Sequence, residues 1–148
     1  KVSFSKDSDV HFVSNLPYSD YSRIMIAMLS VHHPVKSYTL MIQRDVYDRL
    51  KAKPGSKEYG PWSVLVQAMC SIRLLRKAGG RLFYPPPRVD SAVFRLERNT
   101  NIPPEEVESL LGALKTVFSH RRKVWREGKR PEEFSPGELI SRLRGPRE

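Results

Sequence analysis

The chain has 148 residues, 26 of them Lys or Arg and 16 Asp or Glu, for a formal charge of +10 at neutral pH. This length supports one domain, or one domain with a small appendage, and the moderate apolar content with scattered charge fits a soluble globular protein. No apolar run approaches membrane-spanning length, the amino terminus lacks the regions of a signal peptide, and the one cysteine, Cys70, excludes an internal disulfide framework, so a membrane role is not expected and a reducing, cytoplasmic setting is.

In chain order, Asp9 to Ser14 reads as a buried strand, and Ser22 to Ser30 as an apolar helix that packs on a sheet. His33-Pro34 breaks that helix, Ser37 to Gln43 forms a second buried strand, and Asp45 to Lys51 starts a helix with Val46 and Leu50 on one face. Lys53-Pro54-Gly55-Ser56-Lys57 is a loop punctuated by Pro and Gly. Its two lysines suit phosphate contact and equally suit a solvated turn. Trp62 to Cys70 is a helix and Ile72 to Lys77 a strand. Phe83 to Val89 is an extended loop, because each proline biases its predecessor away from helix, and Ser91 to Leu96 is the closing strand. The last two strands are expected to form an antiparallel hairpin on an otherwise parallel sheet. Thr100 to Pro104 reads as a linker. Beyond it Val107, Leu110, Leu111, Leu114, Val117 and Phe118 follow helical spacing, with Glu105 and Glu106 at the positive end of the helix dipole, and Gly137 to Leu143 forms a short final helix.

Three features carry chemistry. Asn15-Leu16-Pro17-Tyr18 puts an amide, a stiffened backbone and an aromatic ring at the carboxyl end of a strand, where open α/β sheets bind ligands; an ordinary strand-to-loop exit would use the same residues. Phe83 precedes three prolines that can hold its ring at a fixed height, or it plugs the end of the core. Arg121-Arg122-Lys123, with Arg126, Lys129 and Arg130 around Trp125, is opposed only by Glu127 and so favours phosphate contact over a merely solvated face. Trp125 is expected to pack on the first helix of the appendage. Basicity of this degree suits a nucleic-acid backbone, a membrane surface or an acidic partner alike. His11, His32, His33 and His120 form no ligand set, so no metal is expected. Cys70, flanked by apolar residues, reads as a buried thiol.

Together these segments resemble the rRNA adenine N6-dimethyltransferase family. The resemblance is carried by Asn15 to Tyr18, Gln43-Arg44-Asp45-Val46, Arg49-Leu50, Lys53 to Gly60, Ser63-Val64-Leu65-Val66-Gln67, Phe83 to Val93, and Phe118-Ser119-His120-Arg121-Arg122-Lys123, in the family's order and near its spacing. Arg44-Asp45 stands where the family usually has Lys-Glu, and Arg88 where it has Lys. Ser19-Asp20-Tyr21 replaces the usual Asn-Ile-Ser/Thr. Gly79-Gly80 occupies a stretch that commonly carries prolines, which predicts a looser loop before Phe83.

The resemblance implies an α/β fold: the carboxyl-terminal part of a Rossmann-like class I methyltransferase sheet with an antiparallel terminal hairpin over residues 1–99, and a small all-α, RNA-binding domain over 100–148. It implies an enzyme that dimethylates adenine N6 in a hairpin loop of small-subunit rRNA, during ribosome biogenesis, with S-adenosylmethionine as cofactor and the pre-ribosomal small subunit as partner. Asn15 and the backbone near Pro17 would accept the amine hydrogens, and Tyr18 and Phe83 would stack on the base. Asn15 and Leu16 would touch the cofactor, while Arg88, Arg121, Arg122, Lys123 and Arg126 would hold RNA. The family's Gly-rich turn and acidic strand end have no counterpart upstream of Asn15. The chain therefore reads as a piece of a longer parent, cut before the fourth strand, inactive alone and prone to self-association through an uncovered sheet. A non-catalytic RNA-binding or ribosome-assembly factor, a large-subunit rRNA methyltransferase conferring antibiotic resistance, and a mitochondrial transcription-factor-like use of the fold remain as alternatives, since fold does not settle function.

Overall fold

Four strands pair in the order β1–β2–β4–β3, with β1 at Val10–Asn15, β2 at Val35–Gln43, β3 at Cys70–Ala78 and β4 at Ser91–Arg98. This is a computed structural model, and it describes residues 9–17, 19–31 and 35–145. β1 pairs parallel to β2, whereas β4 runs antiparallel to both β2 and β3. β1, β2 and β3 thus share one direction, and the antiparallel β3–β4 hairpin expected from the sequence is present. Helices α1 (Tyr21–Leu29), α2 (Arg44–Leu50) and α3 (Pro61–Met69) connect the strands, and α4 (Val107–Ser119) and α5 (Pro136–Arg144) follow the sheet.

The alternation of β2 and β4 explains the layering. Tyr38, Leu40 and Ile42 on β2 and Ala92, Phe94 and Leu96 on β4 are buried together with the apolar faces of the helices. The expected α4 positions hold, with Val107, Leu110, Leu111, Leu114 and Phe118 buried, and the cluster they join also contains Leu16 and Leu40 from the sheet. Cys70 is buried in it, and burial pushes its thiol up to about 12, so it is inert as a nucleophile.

Much of the family-like signature is internal carpentry. The last carbonyls of α2 have no intrahelical partners. Ser63 Oγ donates to the Arg49 carbonyl at 2.6 Å, and Gln67 Nε2 donates to those of Leu50 and Ala52 at 2.8 Å each. Tyr59, fully buried, donates its hydroxyl to the Phe134 carbonyl at 2.9 Å and meets the Phe118 ring edge-on at 5.9 Å. α5 begins with a reciprocal cap, in which Ser135 Oγ accepts from the Glu138 amide and the Glu138 carboxylate accepts from the Ser135 amide.

Two expectations fail here. β1 is not a buried strand: Phe12 is 38% and Val13 76% exposed, because β1 is an edge of the described sheet with β2 alone as its neighbour. Nor is the loop after Gly79-Gly80 loose. The Gly80 amide donates to Asp90 Oδ1 at 3.0 Å, and a Cβ on Gly80 would lie 2.8 Å from the Pro87 carbonyl oxygen. Both ends of the loop are tied together, and the second glycine is there for close approach.

Candidate active site

The parallel strands β1 and β2 end on the same side of the sheet, and at that end the backbone of β1 continues straight into Leu16 and Pro17. Leu16 anchors this exit. Its amide donates to the Met41 carbonyl at 3.0 Å, and its side chain is only 2% exposed. With Leu16 buried, alternation leaves Asn15 exposed at the rim. Among the described residues no group engages the Asn15 amide, so its oxygen and nitrogen are open to a ligand.

The tied 79–90 loop supplies the facing wall. Asn15, Leu16 and Pro17 line an open cleft of about 520 Å³ together with Met41, Phe83 and Tyr84, and Pro85 and Pro87 complete it. Phe83 is half-buried and belongs to this cleft rather than to the core cluster. The Arg44 amide donates to the Asp90 carbonyl at 2.9 Å, fixing the loop's far end against β2 and α2. Apart from Asn15 and the Tyr84 hydroxyl, the lining side chains are apolar. That is the composition of a pocket for a flat, partly polar ring. Tyr18 lies outside the described residues. Pro85 and Pro87, read from the sequence as stiffening Phe83, also line the cleft, whereas Met41 and Tyr84 have no role assigned from the sequence. Tyr84, 99% exposed, is an aromatic beside a motif aromatic, and that adjacency was the available signal.

The basic residues separate into two groups. Arg88 is exposed on the cleft loop, and Arg122, Lys123 and Arg126 are exposed after α4. Arg121, expected among the RNA contacts, keeps 33% of its side chain exposed while its guanidinium is engaged by the protein itself. Its Nε donates to Glu132 Oε2 at 2.6 Å, its Nη1 to the Lys57 carbonyl at 2.9 Å and its Nη2 to the Ser56 carbonyl at 3.3 Å. The stretch beyond is a tight hairpin, not a helix face. Trp125 and Lys129 are joined by a backbone bond of 2.8 Å, and Glu127 and Gly128 both adopt positive φ at the tip. Trp125 packs edge-on against Phe134 at 5.8 Å, against the cluster that also holds the buried residues of α4, and Arg126 covers its ring at 5.3 Å.

No glycine turn follows β1 or β2 among the described residues, and the glycines after β3 are closed by Pro87 and Asp90 instead of forming a cradle. The described residues therefore do not fit S-adenosylmethionine as a complete site. Among the described residues there is no group of His, Cys, Asp and Glu that could hold a metal ion, and no helix is long and apolar enough to cross a membrane.

Comparison with known proteins gives a consistent picture. The family model described as ribosomal RNA adenine dimethylase matches residues 1–134. A ribosomal RNA small subunit methyltransferase A from Chlorobaculum parvum is 41% identical over 112 residues, which cover 76% of this chain and 41% of that protein. The protein of the same name from Phenylobacterium zucineum is 38% identical over 127 residues, covering 85% of this chain and 45% of the relative. The chain thus spans less than half the length of these relatives. The crystal structure of a dimethyladenosine transferase from Plasmodium falciparum superposes with a TM-score of 0.76 at 17% identity, covering 95% of this chain and 66% of that one.

Proposed function

Given that the chain belongs to the ribosomal RNA adenine dimethylase family, we propose that it forms the target-base side of an enzyme that dimethylates adenine N6 in a small-subunit rRNA hairpin loop. The work belongs to ribosome biogenesis in the cytoplasm. The observation that supports this most directly is the open Asn15 amide in the same cleft as Phe83.

The exocyclic nitrogen of adenine is a poor nucleophile because its lone pair is delocalised into the ring. Asn15 Oδ1 and a backbone carbonyl near Pro17 accept its two N–H hydrogens and favour the pyramidal amine as positive charge develops. A preorganised acceptor of this kind contributes on the order of 10²–10³ in rate. Phe83 stacks on the extruded base, with Tyr18 proposed on its other face, and the apolar wall excludes water. S-adenosylmethionine, the donor the family implies, would supply the methyl group as an electrophilic sulfonium-bound carbon and be released as the neutral thioether. No side chain is assigned as base, and the amine proton leaves to solvent after transfer. Arg88, Arg122, Lys123 and Arg126 contact phosphate, which positions RNA without specifying its sequence. Arg121 is left out of that set because its guanidinium is engaged with Glu132 and two carbonyls.

The test is Asn15→Ala in a protein that joins the amino-terminal part of the Chlorobaculum parvum relative ahead of this chain. Methyl transfer is expected to fall about 100-fold or more, with RNA affinity nearly unchanged. Equal losses in both would overturn the assigned role.

A further inference from the structure

The loop at 53–57 has no part in the cleft, yet the structure fastens it with care. The Ser56 amide and hydroxyl both donate to the Lys53 carbonyl, at 3.1 and 2.8 Å, closing the loop on itself. The Gly55 amide donates to the Glu132 carbonyl at 2.7 Å, and Gly55 adopts a φ of 82°, which only glycine takes readily. Arg121 completes the join by reaching the Ser56 and Lys57 carbonyls while its charge is balanced by Glu132. A loop that links α2 to α3 is thereby bolted to the turn that follows α4, far away in sequence.

The consequence is electrostatic. Lys57 accepts at its carbonyl from Arg121, the residue immediately before Arg122 and Lys123, so the two basic segments are joined through the Arg121 side chain. Lys53, Lys57, Arg122 and Lys123 are all exposed, and none of the four forms an ion pair among the described residues. Of the carboxylates near these segments, Glu132 is taken by Arg121, Glu133 is exposed but accepts from the Arg130 amide at 2.6 Å, and Glu58 is exposed beside them. Four like charges on a backbone that cannot relax apart are a surface prepared for an anion.

We propose that the 53–57 loop and the 121–123 turn form a single phosphate-binding surface for RNA, in which Lys53, Lys57, Arg122 and Lys123 make the contacts and Arg121 braces the two segments. This rests on the RNA reading above and enlarges it, because the loop lies in the part of the chain assigned to the sheet domain. RNA held here would be gripped by both parts at once, fixing its backbone relative to the cleft.

The measurement is fluorescence anisotropy of a labelled small-subunit rRNA hairpin titrated with the 148-residue chain, repeated from about 50 to about 200 mM salt. Each phosphate contact contributes roughly 0.7–0.9 to the slope of log affinity against log salt, so Lys53→Gln with Lys57→Gln should lower the slope by about 1.5 and weaken binding. Arg122→Gln with Lys123→Gln should do the same, and the melting temperature of both variants should match that of the parent chain. An unchanged slope in the loop variant beside a reduced one in the turn variant would overturn the composite surface and leave the RNA reading standing. Unchanged slopes in both, or no binding by the parent chain, would overturn the RNA reading and the surface together.

Discussion

The proposed roles of Asn15 as hydrogen-bond acceptor and Phe83 as stacking face predict different losses. Base stacking on an aromatic side chain is worth about 1–3 kcal/mol by alanine substitution. Phe83→Ala should therefore weaken capture of the extruded adenine by roughly 5- to 150-fold, read as fluorescence of 2-aminopurine placed at the target position, while Phe83→Trp should retain it. A loss in the Trp variant as large as in Ala would mean that Phe83 serves shape alone. The residue scale is also where the sequence was most and least legible. Asn15, Leu16, Pro17 and Phe83 were readable because the motif ties each to a fixed backbone position, and they line one cleft. Arg121 was not, because a cation in a basic run looks like its neighbours until the acceptors reach it from Glu132, Ser56 and Lys57. Leu16, which the resemblance assigns to the cofactor, lines the cleft although only 2% exposed.

At the scale of elements, the fold is held by side chains that satisfy backbone groups between segments. Tyr59 is the clearest case, joining the start of α3 to the segment before α5 through the Phe134 carbonyl. Burial also pushes its phenol above the ordinary range, so it remains a neutral donor. Tyr59→Phe keeps the ring and its contact with Phe118 but leaves that carbonyl without its donor. A destabilisation of about 1–2 kcal/mol is expected by chemical denaturation; an unchanged midpoint would show that the hydroxyl contributes nothing. Strand and helix positions were recoverable from periodicity, since Tyr38, Leu40 and Ile42 alternate and Val107, Leu110, Leu111 and Leu114 recur at helical spacing. The exposure of β1 was not recoverable, because its apolar run has the composition of an interior strand while its neighbours are set by topology. The hairpin at 125–129 was missed for a related reason. Glu127-Gly128 is a weaker turn signal than Asn-Gly, and a positive φ at Glu127 is invisible to pattern.

For the whole molecule, the two edges of the sheet differ in kind. β3 carries Arg73, Arg76 and Lys77 exposed, charges that discourage pairing with another chain, whereas β1 presents Phe12 and Val13. The isolated chain is expected to associate through β1, with a sedimentation-derived mass that rises with concentration and returns to monomer on Val13→Lys. A concentration-independent monomer would contradict this. Family and fold were legible because motifs spread over the chain constrain one another, and a match over residues 1–134 agrees with them. The completeness of the site is a separate matter, since the chain spans less than half the length of these relatives and, in the proposed reading, carries the target-base side alone. The most direct test is nucleoside mass spectrometry of small-subunit rRNA lacking its dimethyladenosines. The RNA is incubated with S-adenosylmethionine and this chain, alone and joined behind the amino-terminal part of the Chlorobaculum parvum relative. The account predicts N6-dimethyladenosine only with the joined protein; its formation by the chain alone, or its absence with both while RNA binding persists, would contradict it.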